Sequence, residues 1–119
     1  MILEFAQLTI RPGSEAQFET VFREAIKVLG SSKGYLSHEL RRSIETPNRY
    51  ALMVQWQTLE DHTVGFRGAP AFTQWRALVG PFFDSPPVVE HFARGELSRS
   101  LLHDRDVAHG ETVVADNRD

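Results

Sequence analysis

The chain has 119 residues, 41% of them hydrophobic, which suits one domain built around one core. It contains no cysteine, so a disulfide, a thiolate nucleophile, an iron–sulfur cluster and a cysteine-ligated zinc are all excluded. The 13 basic and 16 acidic residues leave a net charge of −3, which gives no electrostatic basis for binding nucleic acid. No apolar stretch approaches the roughly 20 residues that cross a bilayer.

Residues 2 to 10 are rich in β-branched and aromatic side chains and end at Arg11-Pro12-Gly13, the pattern of a strand followed by a turn. Ile2, Ala6, Leu8 and Ile10 fall on one face and Leu3 and Phe5 on the other, so this strand is expected to be covered on both sides. The start lacks a basic segment and a small-residue cleavage site and reads as a first strand, not a signal peptide, which favours a cytoplasmic protein.

Ser14 and Gln17 form the spacing of a capping box, and Phe18, Val21, Phe22, Ala25, Val28 and Leu29 then recur at helical spacing up to Gly30. Extended runs follow from Tyr35 to Ser43 and from Arg49 to Trp56, separated by a Thr46-Pro47-Asn48 turn, and these predict a hairpin. Arg41-Arg42 lies in the first of them and reads as a solvated or interface edge. Thr58 and Asp61 open a short helix with Leu59, His62 and Phe66 on one stripe, closed by Gly68. Pro70 suits the start of a further helix, in which Phe72, Trp75 and Val79 share a face before Gly80-Pro81 stops it. After Pro86-Pro87 comes a last short strand, Val88 to Phe92.

The order βαββα(α)β predicts an α+β, ferredoxin-like domain over residues 1–93: a four-stranded antiparallel sheet with helices on one face. Tyr50, Leu52, Val54 and Trp56 alternate with Ala51 and Met53, so the second face of the central strand is also apolar, and a homodimer closing sheet against sheet would cover it. Residues 94–119 carry no aromatic ring and 10 charges. This polar tail is expected to be flexible or, through Leu97, Leu101 and Leu102, to dock on the partner subunit.

Seven of the twelve aromatic residues lie between Trp56 and Phe92, which points to an apolar pocket for a small aromatic ligand as well as to core. Trp56 at the end of the central strand and Trp75 on the crossing helix have the placement to stack on a planar molecule, with Phe66, Phe72 and Phe82 as further wall. His62 is a general-base candidate or a helix histidine bonded to backbone. His38, on one strand face with Leu36 and Leu40, and His91, flanked by Glu90 and Phe92, line either a cavity or a dimer contact. Arg76, one turn from Phe72 and next to Trp75, suits stabilisation of a developing anion or stacking on a ring, whereas Arg67 reads as a surface salt bridge. The five histidines show no metal-ligand spacing, so no metal site is expected.

The Arg11-Pro-Gly-Ser turn, Gly34-Tyr-Leu-Ser-His-Glu-Leu, Pro47-Asn-Arg-Tyr, Trp56-Gln-Thr-Leu-Glu-Asp-His and Pro81-Phe82 resemble the antibiotic biosynthesis monooxygenase family over about residues 1 to 93. That resemblance implies a dimeric α+β barrel. It also implies a small oxygenase working without flavin or metal on an electron-rich aromatic such as a quinol or phenol. His62, or His38, would then remove a proton and Arg76 would hold the resulting charge, while the two tryptophans exclude water. A non-catalytic binding module would use the same pocket. Haem-binding relatives carry an Asn on the first strand, where this chain has Glu4, Ala6 and Gln7, and a Trp and a histidine ligand whose positions fall near Gly65 or Phe66 and at Arg76, so haem binding or degradation is the less favoured reading.

Overall fold

The computed structural model describes residues 1–95 and 97, so the expectations for the 94–119 tail lie almost entirely outside the described residues. Strand β1 (Ile2–Thr9) leads to helix α1 (Glu15–Gly30), and β2 (Tyr35–Arg42) and β3 (Arg49–Trp56) form the expected hairpin. A π-helical segment (Asp61–Phe66), helix α2 (Pro70–Val79), a single 3-10 turn (Gly80–Phe82) and β4 (Val88–Ala93) complete the order. The strands form one antiparallel sheet in the order β2-β3-β1-β4.

Both helices lie on one face of the sheet. Helix α1 buries Phe18, Phe22, Ala25 and Leu29, the stripe its 3.6-residue periodicity dictates. Phe18 meets Tyr50 of β3 edge-on with ring centroids 5.0 Å apart, and Phe22 meets Trp75 of α2 at 6.0 Å, so one stripe ties helix to sheet and helix to helix. Burial of each such ring contributes roughly 1.5–3 kcal/mol. The inward residues of β3, Tyr50, Leu52, Val54 and Trp56, are all buried, with Trp56 fully so.

The local chemistry departs from the sequence expectation at four points. Ser14 makes no side-chain cap; instead the Gly13 N–H donates to Glu15 Oε1 at 2.9 Å, because the turn brings the carboxylate back over the helix start. Gly30 is the last helical residue and not a left-handed cap, and the helix is closed by the Ser31 N–H donating to the Val28 carbonyl at 3.3 Å and the Ser32 N–H to the Leu29 carbonyl at 3.1 Å. A bulge between Tyr35 and Ser37 inserts one residue into β2, so His38 shares its face with Tyr35 and Leu40, and Leu36 is turned outward. Finally, the segment carrying His62 is wound as a π-helix: the Arg67 N–H donates to the His62 carbonyl, five residues back, at 3.1 Å. Thr58 does support its start, accepting the Asp61 N–H at 3.1 Å.

The face of the sheet away from the helices is open. On it Phe5 of β1 lies between Met53 of β3 and Glu90 of β4, and Leu3 lies beside Phe92, which is 45% exposed.

Candidate functional site

The site begins with an exception to strand alternation. Glu4 occupies the inward parity of β1, between Ile2 and Ala6, and is buried at 6% exposure beneath the helices. A buried carboxylate requires partners. The Trp56 indole N–H supplies one, donating to Glu4 Oε1 at 2.9 Å. His62, 4% exposed, places Nε2 3.4 Å from the same oxygen and stacks on the Trp56 indole with centroids 5.1 Å apart. Its other ring nitrogen, Nδ1, lies 2.8 Å from Nε2 of His91, the β4 residue directly across from Glu4 in the sheet register.

These four side chains come from β1, β3, the π-helical segment and β4. The π winding matters because it holds Phe66 and His62 in near-parallel orientation, with interplanar angle 24°, against Trp56. Gly34 fixes the segment from below: its φ of +85° is left-handed, and a Cβ there would run into the Asp61 carboxylate. Only glycine allows the loop before β2 to approach the start of the His62 segment so closely.

The electrostatics follow from burial. Desolvation raises the Glu4 pKa above its ordinary value, opposed by the Trp56 hydrogen bond and by the positive charge of Arg67. Burial lowers the His62 pKa to about 4, with Arg67 and then His91 adding to the effect, so the imidazole is neutral at physiological pH. Burial and Arg67 also lower the His91 pKa. The Glu4–His62 contact is therefore between a carboxyl group and a neutral imidazole, not an ion pair.

Above this network lies a cavity of about 540 Å³ between the sheet and α2. Its floor is Glu4, Ala6, Leu8 and Leu52, its roof Phe66, Phe72 and Trp75, and one side is closed by Phe83, Pro86, Pro87 and Val89 from the chain leading into and along β4. Arg67 and Arg76 are its cations, both exposed, and Arg76 sits over the Phe72 ring at 5.6 Å. The volume and the apolar wall with a few convergent polar groups suit a one- or two-ring ligand. Among the described residues no group of three or more His, Asp or Glu side chains is arranged to hold a metal ion.

Of the side chains singled out in the sequence, His62, Phe66, Phe72, Trp75 and Arg76 line this cavity. Three do not. Trp56 is fully buried behind His62 and acts on the cavity through Glu4. Phe82, partly buried, packs on Phe18 at 6.1 Å and lies outside the cavity lining. His38 lies on β2, exposed, with Nδ1 2.6 Å from the Tyr35 hydroxyl oxygen. Arg67, read from sequence as a surface salt bridge, is exposed but lines the cavity, and no salt bridge to it is formed among the described residues. Glu4 was missed, although its signal was present: a carboxylate on the otherwise apolar parity of a first strand.

A four-stranded antiparallel sheet with both helices on one face and a cavity between them defines a ferredoxin-like α+β protein. The chain belongs to the antibiotic biosynthesis monooxygenase family, whose model matches residues 1–78. It is 45% identical over 92 residues to the uncharacterized protein YczJ of Bacillus subtilis, covering 77% of this chain and 97% of that one. A crystal structure from Bordetella bronchiseptica, described as a candidate antibiotic biosynthesis monooxygenase, superposes with TM-score 0.76 at 40% identity, covering 79% of this chain and 96% of the other. SnoaB of Streptomyces nogalater, described as a cofactor-independent oxygenase, shares the fold with TM-score 0.68 at 19% identity, over 84% and 95% of the two chains.

Proposed function

We propose that this protein is a cofactor-independent monooxygenase that acts, as a cytoplasmic homodimer, on a small electron-rich aromatic, a quinol or phenol. The observation that carries this reading is the pairing of an apolar cavity of about 540 Å³ with one buried carboxyl–imidazole pair on its floor and two arginines at its rim. Family membership supports it, and so does the fold shared with SnoaB.

The chemistry asks for what the cavity contains. A phenol must lose its hydroxyl proton before it gives an electron to dioxygen readily, so a proton acceptor is needed beside the ring. The Glu4–His62 pair supplies it. Arg76 and Arg67 hold the phenolate charge, and Trp75, Phe66 and Phe72 pack the ring and keep water out. One electron passes to dioxygen, and recombination of the two radicals forms a carbon–oxygen bond at a ring C–H position. The distal oxygen leaves as water, taking that ring hydrogen and one proton that replaces the hydroxyl proton first removed, so phenol and dioxygen give quinone and water with no net proton released.

The dimer in this reading closes over the open sheet face, where Leu3, Phe5, Met53 and Phe92 are only partly covered. The test is oxygen uptake by the purified protein with a panel of quinols and naphthols. The product should carry one atom from isotopically labelled dioxygen, and activity should fall in His62→Ala and Arg76→Ala. Ligand binding without oxygen uptake across the panel would instead establish a binding module in the same cavity.

A further inference from the structure

The Glu4 carboxylate is used unevenly. Both of its close contacts, the Trp56 N–H at 2.9 Å and His62 Nε2 at 3.4 Å, are made to Oε1. Oε2 takes no hydrogen bond from the described residues, although the side chain is only 8% exposed and lines the cavity floor. A buried acceptor left in this state is satisfied by a donor that enters the cavity. Behind it the contacts continue in one direction only. His62 joins Glu4 through Nε2 and His91 through Nδ1, and His91 is partly exposed on β4, an edge strand.

We propose that Glu4, His62 and His91 form a proton relay, in which Glu4 Oε2 receives the hydroxyl proton of the bound aromatic and His91 passes a proton to solvent. This assignment rests on the reading of the cavity as a site for a hydroxy-aromatic, and it makes Glu4 the group that touches the substrate proton, with His62 and His91 as carriers behind it.

The proton count closes without any other reactant. The ligand O–H bond breaks and an O–H bond forms on Glu4. The protonated carboxyl donates to His62 Nε2, which requires only that the carboxyl group turn about its terminal torsion, a soft one, to close the 3.4 Å separation. His62 gives its Nδ1 proton to His91 Nε2 across 2.8 Å, and His91 releases its own from Nδ1. Each imidazole ends as the other neutral tautomer, so no imidazolium persists in the buried network, in accord with the lowered basicity of His62. One ligand proton enters and one proton leaves. The titratable or charged groups facing the cavity are Glu4 from β1, His62 and Arg67 from the π-helical segment and the residue after it, and Arg76 from α2. His91 faces His62 from β4. The two arginines favour the ligand anion and disfavour a trapped proton, which gives the relay its direction.

A nitrophenol tests this without oxygen chemistry, because its phenolate is coloured and its ring is too electron-poor to oxidise. Binding is read by quenching of tryptophan fluorescence and ionisation by phenolate absorbance, at a pH where the free phenol is neutral. The wild-type protein is expected to bind it as phenolate. Glu4→Gln is expected to bind it with quenching retained and the phenolate band lost. His91→Asn and His62→Phe should keep the band but slow the appearance of the proton in bulk, followed by stopped flow with an indicator dye, by about a hundredfold. A phenolate band in Glu4→Gln equal to wild type, or wild-type proton release in His91→Asn, overturns the relay while leaving the site reading intact. Absence of quenching with the wild-type protein overturns both.

Discussion

The neutral, buried His62 makes a quantitative prediction about stability against pH. Its pKa falls from an ordinary 6.5 to about 4 in the folded protein. As pH drops through 6.5 the unfolded chain takes up a proton that the folded chain refuses until about pH 4, so folding stability is lost over that window. At about 1.4 kcal/mol per pKa unit the full loss is roughly 3 kcal/mol, a large share of the stability of a small domain. Glu4 acts with the opposite sign. Its folded pKa is raised, so stability is lost as pH rises from the unfolded carboxyl value through the folded one, and in the wild type the two slopes partly cancel. Comparing Glu4→Gln with the double variant Glu4→Gln/His62→Phe removes that cancellation. The amide withdraws a carboxylate that would attract an imidazolium, so the His62 pKa is not raised by the change, and phenylalanine keeps the stack on Trp56. Urea unfolding of both proteins at equal concentration from pH 7 down to pH 4 is the assay, with His91 common to both. The difference in unfolding free energy should shift by roughly 3 kcal/mol in favour of the double variant as the pH falls. Parallel profiles would refute the claim that His62 is held neutral by burial.

Three further outcomes are expected. Gly34→Ala forces a left-handed backbone on alanine and drives its methyl into Asp61, so it should cost at least about 2 kcal/mol by denaturant titration and disturb ligand binding, because the His62 segment starts there. Arg76→Ala removes a charged partner of the ligand anion, worth roughly 1.5–3 kcal/mol, and should lower kcat/KM for any accepted quinol about ten- to a hundredfold, whereas His38→Ala, on exposed β2, should leave it unchanged. Phe5→Glu places a charge at the centre of the open sheet face and should convert the proposed dimer to monomer in sedimentation velocity; a wild-type monomer, or a dimer that survives the change, contradicts pairing through that face.

The fold was legible because its signals are local and repeated. The β-branched and aromatic runs of β1 and β3 bounded by turn residues, the 3.6-residue stripe of α1, and the Pro70 start and Gly80 stop of α2 each specify an element, and the four strands have few ways to pair. What escaped the sequence reading depends on a single inserted residue or a single tertiary contact. The β2 bulge moves His38 to the Tyr35 face, and nothing in the run YLSHELRR marks it. The π winding of residues 61–66 follows from how that segment seats His62 and Phe66 against Trp56, not from its composition.

The site was half legible for the same reason. Helical spacing put Phe72, Trp75 and Arg76 near one another, and they do line one cavity. Trp56 was visible as a large ring at a strand end, but its function as a donor to Glu4 depends on a contact 52 positions away in the chain. Glu4 was overlooked since a single carboxylate in a first strand is usually solvated; only the register, which sets it opposite both Val54 and His91 under the helices, reveals it as buried.

The most direct measurement is a crystal structure of the protein with a bound naphthol. The ring should lie in the cavity between the sheet and the Phe66–Trp75 wall, with its hydroxyl oxygen about 2.7 Å from Glu4 Oε2 and within reach of an arginine at the rim. A naphthol that occupies the cavity with its hydroxyl turned away from Glu4, or that binds only on the open sheet face, would contradict the account.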